Sequence, residues 1–202
     1  MEFYHEIITE KSFKILQNLK RQFDFILIGG WAVFLYARTL KSKDIDIIVD
    51  YNQLAKLKRI LDVSKNERLK KYEAKIEEVD IDIYLPHYSN IGFPSEEIKN
   101  YFQSVEGFKV PLPEVLLILK TYVWSQRKNT SKGKKDLIDI FSILSKDVID
   151  WEKYKRLIEK YNLAEIDQQL KEIILSTKSI SELNLLNHQM SRLKKKILSK
   201  LV

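Results

Sequence analysis

The sequence predicts an α+β chain whose first half mixes strands with helices and whose second half is helical throughout. Three observations predict it. Asp44-Ile45-Asp46-Ile47 and Asp80-Ile81-Asp82-Ile83 alternate carboxylate with isoleucine, the period-two pattern of a strand with one buried face. Residues 86–113 hold all four prolines and two of the five glycines, which marks the main break in the chain. Beyond Pro113 the apolar residues recur at helical spacing. The predicted domains are therefore 1–112, mixed, and 113–202, helical.

The elements follow in order. Phe13, Leu16 and Leu19 place a helix over residues 3–20. The run 23–28 (Phe-Asp-Phe-Ile-Leu-Ile) reads as a buried strand that stops at Gly29-Gly30. Residues 31–37 are apolar throughout and predict a short internal helix. A strand over 43–49 follows, then an amphipathic helix over 51–61 with Leu54, Leu57 and Leu61 on one side. Strands are predicted at 72–76 and 79–85, the latter closed by Pro86, which has no N–H for a ladder. Residues 102–105 and 108–110 flank Glu106-Gly107 as a small hairpin. Helices are expected at 113–128, opened by Pro113, and at 135–144, 150–161, 165–175 and 181–198, with 128–135 as a basic connector.

Composition narrows the class. The 202 residues are 45% hydrophobic, enough for a real core. With no cysteine there is no disulfide, thiolate nucleophile or cysteine-based zinc site. The start of the chain lacks a signal-peptide pattern, and no window approaches the ~20 apolar residues of a membrane span. A cytoplasmic protein with no membrane partner is expected. Net charge is +7, which suits either a phosphate-bearing partner or a Lys/Glu-rich solvated surface. His5, His87 and His188 are too scattered to share a metal.

The aspartates carry the chemistry. Asp is depleted in strands, and each alternating stretch lines up two carboxylates on the face opposite its isoleucines. Like charges gathered in a partly dry place are unfavourable unless a cation joins them. A divalent metal site is the economical explanation.

Ile28-Gly29-Gly30-Trp31, then Asp44-Ile45-Asp46, then Ile81-Asp82-Ile83 resemble the pattern of the nucleotidyltransferase superfamily of polymerase-β-like fold. Thirteen residues separate Gly30 from Asp44, within that family's range, although the serine that many members carry after the glycines is absent. The resemblance implies a small mixed sheet flanked by helices, followed by an all-helical part. It implies that Gly29 and Gly30 cradle an NTP, and that Asp44, Asp46 and Asp82 hold two magnesium ions. Asp80 is the alternative third carboxylate.

In the second half, Lys120, Arg127 and Asp136-Leu137-Ile138-Asp139 resemble the lysine–arginine–Asp-x-x-Asp signature of AbiEii-type nucleotidyltransferases, toxin components of toxin–antitoxin systems. That implies Lys120 as a catalytic charge neutraliser, with Arg127 and Asp139 also at the nucleotide. An ion-paired helix hairpin would explain the same four residues. The implied acceptor is a tRNA end or a protein, with an antitoxin as partner. Gly-Gly-Trp-Ala also resembles aminoglycoside adenylyltransferases, so a small-molecule acceptor is the alternative, and a non-catalytic nucleotide-binding protein is a third reading. Residues 150–202 carry no motif.

Overall fold

The computed structural model describes residues 2–201, with side chains from residue 6 onward. Residues 1 and 202, the outer bounds of the two expected domains, and the His5 side chain lie outside the described residues. Two units are present: Met1–Asn90 with Pro94–Leu112, and Ile91–Phe93 with Pro113–Val202.

The first unit is built on a seven-stranded mixed sheet. Its elements are α1 (Glu2–Gln22), β1 (Ile26–Ile28), α2 (Gly29–Ala37), β2 (Ile45–Ile48), α3 (Tyr51–Ile60), β3 (Ser64–Asn66), β4 (Lys71–Ile76), β5 (Val79–Tyr84), β6 (Phe102–Val105) and β7 (Phe108–Pro111). The strand order is β3-β4-β5-β2-β1-β7-β6. β2 runs antiparallel to β1 and parallel to β5. Ile45, Ile47, Ile81 and Ile83 are fully buried, so the alternation read from the sequence does divide these strands into an apolar face and a carboxylate face. The core of this unit joins that face to Leu16 and Leu19 of α1 and to Ala32, Val33 and Leu35 of α2.

Trp31 belongs to that core. Its ring lies 5.0 Å from Phe13 and meets Phe34 edge-on. Its indole N–H donates to Ser12 Oγ at 2.9 Å, which satisfies the one polar atom that burial would otherwise strand. The helix α3 begins where Asp50 accepts from the Gln53 N–H at 2.7 Å, an ordinary N-cap.

The second unit comprises α4 (Pro113–Arg127), α5 (Ser131–Leu144), α6 (Trp151–Lys160), α7 (Ala164–Ser176) and α8 (Asn187–Leu201). Leu116, Leu117, Ile140, Phe141, Tyr154, Leu170 and Ile173 form its core. The three-residue segment 91–93 belongs here as well. Phe93 packs edge-on against Tyr161 at 4.7 Å, and Gly92 (φ +81°) presses so closely on the Tyr122 ring that a Cβ would collide with it.

Several boundaries differ from the sequence expectation. The first strand is shorter because Phe23 still donates its N–H to Leu19 and closes α1. The connector after Arg127 is brief: the Thr130 hydroxyl accepts from the Gly133 N–H at 3.0 Å and starts α5 at Ser131. The last helix begins at Asn187, since Ile180 and Leu185 exchange backbone hydrogen bonds around a 3-10 turn. Leu183 and Leu186 therefore stand outside the helix, and Leu186 is exposed. The polar β3, Ser-Lys-Asn, carried no alternation to reveal it. Among the described residues no helix is long and apolar enough to cross a membrane.

Candidate functional site

The strand β1 runs directly into α2 at Gly29, and this junction requires glycine. Gly29 has φ +67°, a region that costs an L-residue roughly 1–2 kcal/mol. Any Cβ there would also collide with the Asp46 carboxylate. No side chain caps the start of α2 and its first turn is free of acid, which leaves backbone N–H groups at a helix N-terminus suited to an anion. Gly30 is buried.

Asp46 lies on β2, opposite Ile28 of β1 and in parallel register with Asp82 of β5. Asp44 sits in a bend one residue before β2 and not in the strand itself. Neighbouring strands stand about 4.8 Å apart, a spacing at which two unit charges repel by roughly 3 kcal/mol at an effective dielectric of 20. Burial pushes the Asp82 carboxyl above the ordinary range. Lys71 opposes that shift, and the charges of Glu73 and Asp44 add to it. Asp80, two residues back, is exposed and lies 3.7 Å from Lys75.

Lys71 was not anticipated. Its Nζ lies 2.6 Å from Asp82 Oδ2 and 2.9 Å from Glu73 Oε1. Burial alone would lower its pKa, but the two carboxylates outweigh burial and raise it. Its signal was present in the turn. Glu77-Glu78 closes the β4–β5 hairpin with Ile76 opposite Val79, which puts Glu73 opposite Asp82. Like charges so paired call for a cation nearby.

Three carboxylates offer the hard oxygen donors that magnesium prefers. Among the described residues, however, no group of three potential ligands is gathered closely enough to hold an ion. The donor chemistry fits a divalent cation; the arrangement does not, with an ammonium already against Asp82.

The second unit brings together the other four predicted residues. Lys120 Nζ lies 2.7 Å from Asp139 Oδ2 and 3.4 Å from Asp136 Oδ1. Arg127 Nε donates to Asp136 Oδ2 at 2.7 Å. The side chains of Asp139 and Asp136 are 0% and 2% exposed, and that of Lys120 is 9%. Asp139 Oδ1 has no hydrogen-bond partner among the described residues. As placed, the quartet clamps α4 against α5. His87 is an exposed loop residue at 3.6 Å from Glu96.

No protein-family model matches the chain, and no curated protein matches it at a significant level. Solved structures do. The antibiotic-resistance factor ANT(2'')-Ia in solution is 15% identical with a TM-score of 0.57, over 82% of this chain and 96% of its own. Its crystal structure with adenylyl-2''-tobramycin gives 16% and 0.53, over 80% and 97%. A putative nucleotidyltransferase from Helicobacter pylori gives 16% and 0.51, over 98% and 95%. At such identities the likeness speaks of architecture. With the Gly29 turn, the Asp46–Asp82 register and the trailing helices, it shows that this chain has the polymerase-β-like nucleotidyltransferase fold.

Proposed function

We propose that the chain is a nucleotidyltransferase that moves a nucleoside monophosphate from an NTP to the hydroxyl of a small-molecule acceptor. The observation that carries this reading is the Gly29 turn packed on Asp46, with Asp82 beside Asp46 in register. Backbone N–H groups at the start of α2 would bind the triphosphate. Asp44, Asp46 and Asp82 would hold two magnesium ions only if drawn closer together than they stand here, and the ions would then supply charge neutralisation at the transferring phosphate. The acceptor hydroxyl attacks the α-phosphorus, its oxygen–phosphorus bond forms as the bond to pyrophosphate breaks, and Asp82 takes the proton. The small acceptor is supported by the likeness to ANT(2'')-Ia, whose crystal structure holds adenylyl-2''-tobramycin.

The domain roles belong to the same proposal: a catalytic domain over 1–112 and a helical domain over 113–202. So does the assignment of Lys120, Arg127 and Asp139 to the nucleotide. Lys120 would have to exchange a carboxylate for a phosphate to serve there.

A second reading has its own support. On the β3–β4 hairpin Lys65 and Lys70 lie over the Tyr88 ring, and Lys58 lies over Tyr72. Cations among aromatic rings suit a tRNA acceptor, and with it the AbiEii-type reading of a toxin held by an antitoxin; a protein acceptor belongs to that reading too.

The test is incubation with each α-labelled NTP and magnesium, in parallel with aminoglycosides and with total RNA, for wild type and Asp44→Ala. Label on a small molecule, only with Asp44 intact, is the expected result. Label on RNA or protein instead establishes the second reading. Bound nucleotide with no transfer to any acceptor makes the chain a nucleotide-binding protein on this fold.

A further inference from the structure

The chain's excess charge is gathered in one place. Residues 56–71 carry seven lysines and arginines against two acids, +5 of the net +7. They span the second half of α3, the edge strand β3 and the turn into β4. Lys56, Lys58, Arg59, Lys65, Arg68 and Lys70 are all exposed. Three of them are anchored on aromatic rings. Lys65 and Lys70 lie 4.9 and 5.5 Å from the centre of the Tyr88 ring, and Lys58 lies 4.8 Å from that of Tyr72. The two rings pack at 5.8 Å. We infer that this edge of the sheet is a nucleic-acid surface that grips the phosphate backbone of an RNA strand without reading its bases.

The rings distinguish this patch from ordinary surface charge. A ring face holds a cation and leaves its charge intact, where a carboxylate cancels it. Glu67 is shared by Lys65 and Lys70, at 2.6 and 3.8 Å, so one negative charge meets two positive ones. Ammonium groups already held in place lose less freedom when phosphates arrive. One lysine is enough to keep an edge strand from pairing with another chain; six exposed cations within residues 56–71 need a further reason. An anionic membrane is the poorer fit. The helix α3 buries its apolar residues Leu54 and Leu57 within its own unit, and the exposed Ile60 and Leu69 are too few to insert. Tyr72 stands opposite Ile83, and Glu73 opposite Asp82, so the patch lies on the isoleucine side and the carboxylates on the other. The inference therefore goes beyond the proposed function and holds for either acceptor.

The experiment is fluorescence anisotropy of a labelled polyuridine strand, titrated with the full chain at stepped salt. No NTP or metal is present, so failure here is separate from failure of transfer. Wild type is expected to bind, with affinity falling steeply as salt rises. Lys58→Gln, Lys65→Gln and Lys70→Gln together should weaken binding about tenfold and lower the log–log salt slope by about 2. The same change at Lys132, Lys178 and Lys195, exposed in the helical unit, should cost about twofold at most, through long-range charge alone. Tyr88→Leu keeps every charge and should weaken binding about threefold at an unchanged slope, because Lys65 and Lys70 lose their anchor. Tyr88→Phe, which keeps the ring, should bind as wild type does. Absence of binding at low salt, or equal losses in the two triple variants, overturns the inference. So does binding confined to phosphatidylserine vesicles in a sedimentation assay. If Tyr88→Leu does not fold, the two lysine triples decide.

Discussion

The two units handle buried charge in opposite ways. Among the α4 and α5 helices, two acids and two bases meet at hydrogen-bond or ion-pair distance, with both acids and Lys120 nearly out of reach of water and Arg127 partly exposed. On the sheet, Asp82 is half-buried, and burial, Glu73 and Asp44 keep its pKa high despite Lys71. The helical quartet is balanced and closed; the sheet cluster is short of positive charge. A balanced buried network holds a structure together, whereas a carboxylate crowded by burial and like charges is held less favourably in its ionised form.

Five substitutions sharpen or break that comparison. Asp44→Ala should lower nucleotidyl transfer by about 10⁴-fold while the thermal midpoint stays within a degree or two of wild type; unfolding instead would make Asp44 a structural group. Lys120→Met should leave Asp139 buried without its cation and cost about 3–5 kcal/mol in urea unfolding. Adding Asp139→Leu should recover most of that loss, and full transfer activity in the double variant would remove Lys120 from the chemistry.

Gly29→Ala should cost roughly 1–2 kcal/mol from backbone strain alone, and NTP affinity should fall as Asp46 is pushed aside. Equilibrium dialysis with ATP reads the second effect. The smallest effect belongs to Glu182, whose carboxyl Lys134 at 2.7 Å holds down to about 2. A depressed acid contributes stability above its unfolded pKa and loses it as pH falls through the folded value. Glu182→Gln should therefore cost ~0.5 kcal/mol or less near neutral pH, given its solvent screening. The difference should close between about pH 4.5 and 2, as unfolding midpoints at stepped pH would show.

Most of the framework was legible because its signals are local. Period-two isoleucines located β2 and β5, Pro113 located the start of α4, and Glu106-Gly107, both at positive φ, located a tight hairpin. The placement of Gly29 where a strand ends, and of Asp46 and Asp82 on strands, was legible from the local pattern. What escaped depended on contacts between segments. Lys71 is an unremarkable strand lysine until the β4–β5 register is known, and β3 is strand only because β4 pairs with it. The start of α8 was misplaced because Leu183 and Leu186 match a helical stripe by chance, while the Ile180–Leu185 bridge that excludes them leaves no periodic trace.

Segment 91–93 has a bearing on how the protein is made. It is synthesised before α4 to α8, yet Phe93 and Gly92 pack against Tyr161 and Tyr122 of the helical unit. The sheet unit has all its strands once residue 111 has emerged, so it can assemble during synthesis with this short strip left waiting. The helices, by contrast, close their core around residues supplied about twenty positions upstream of α4. A gene split at residue 113 would part the helices from three residues of their own interior.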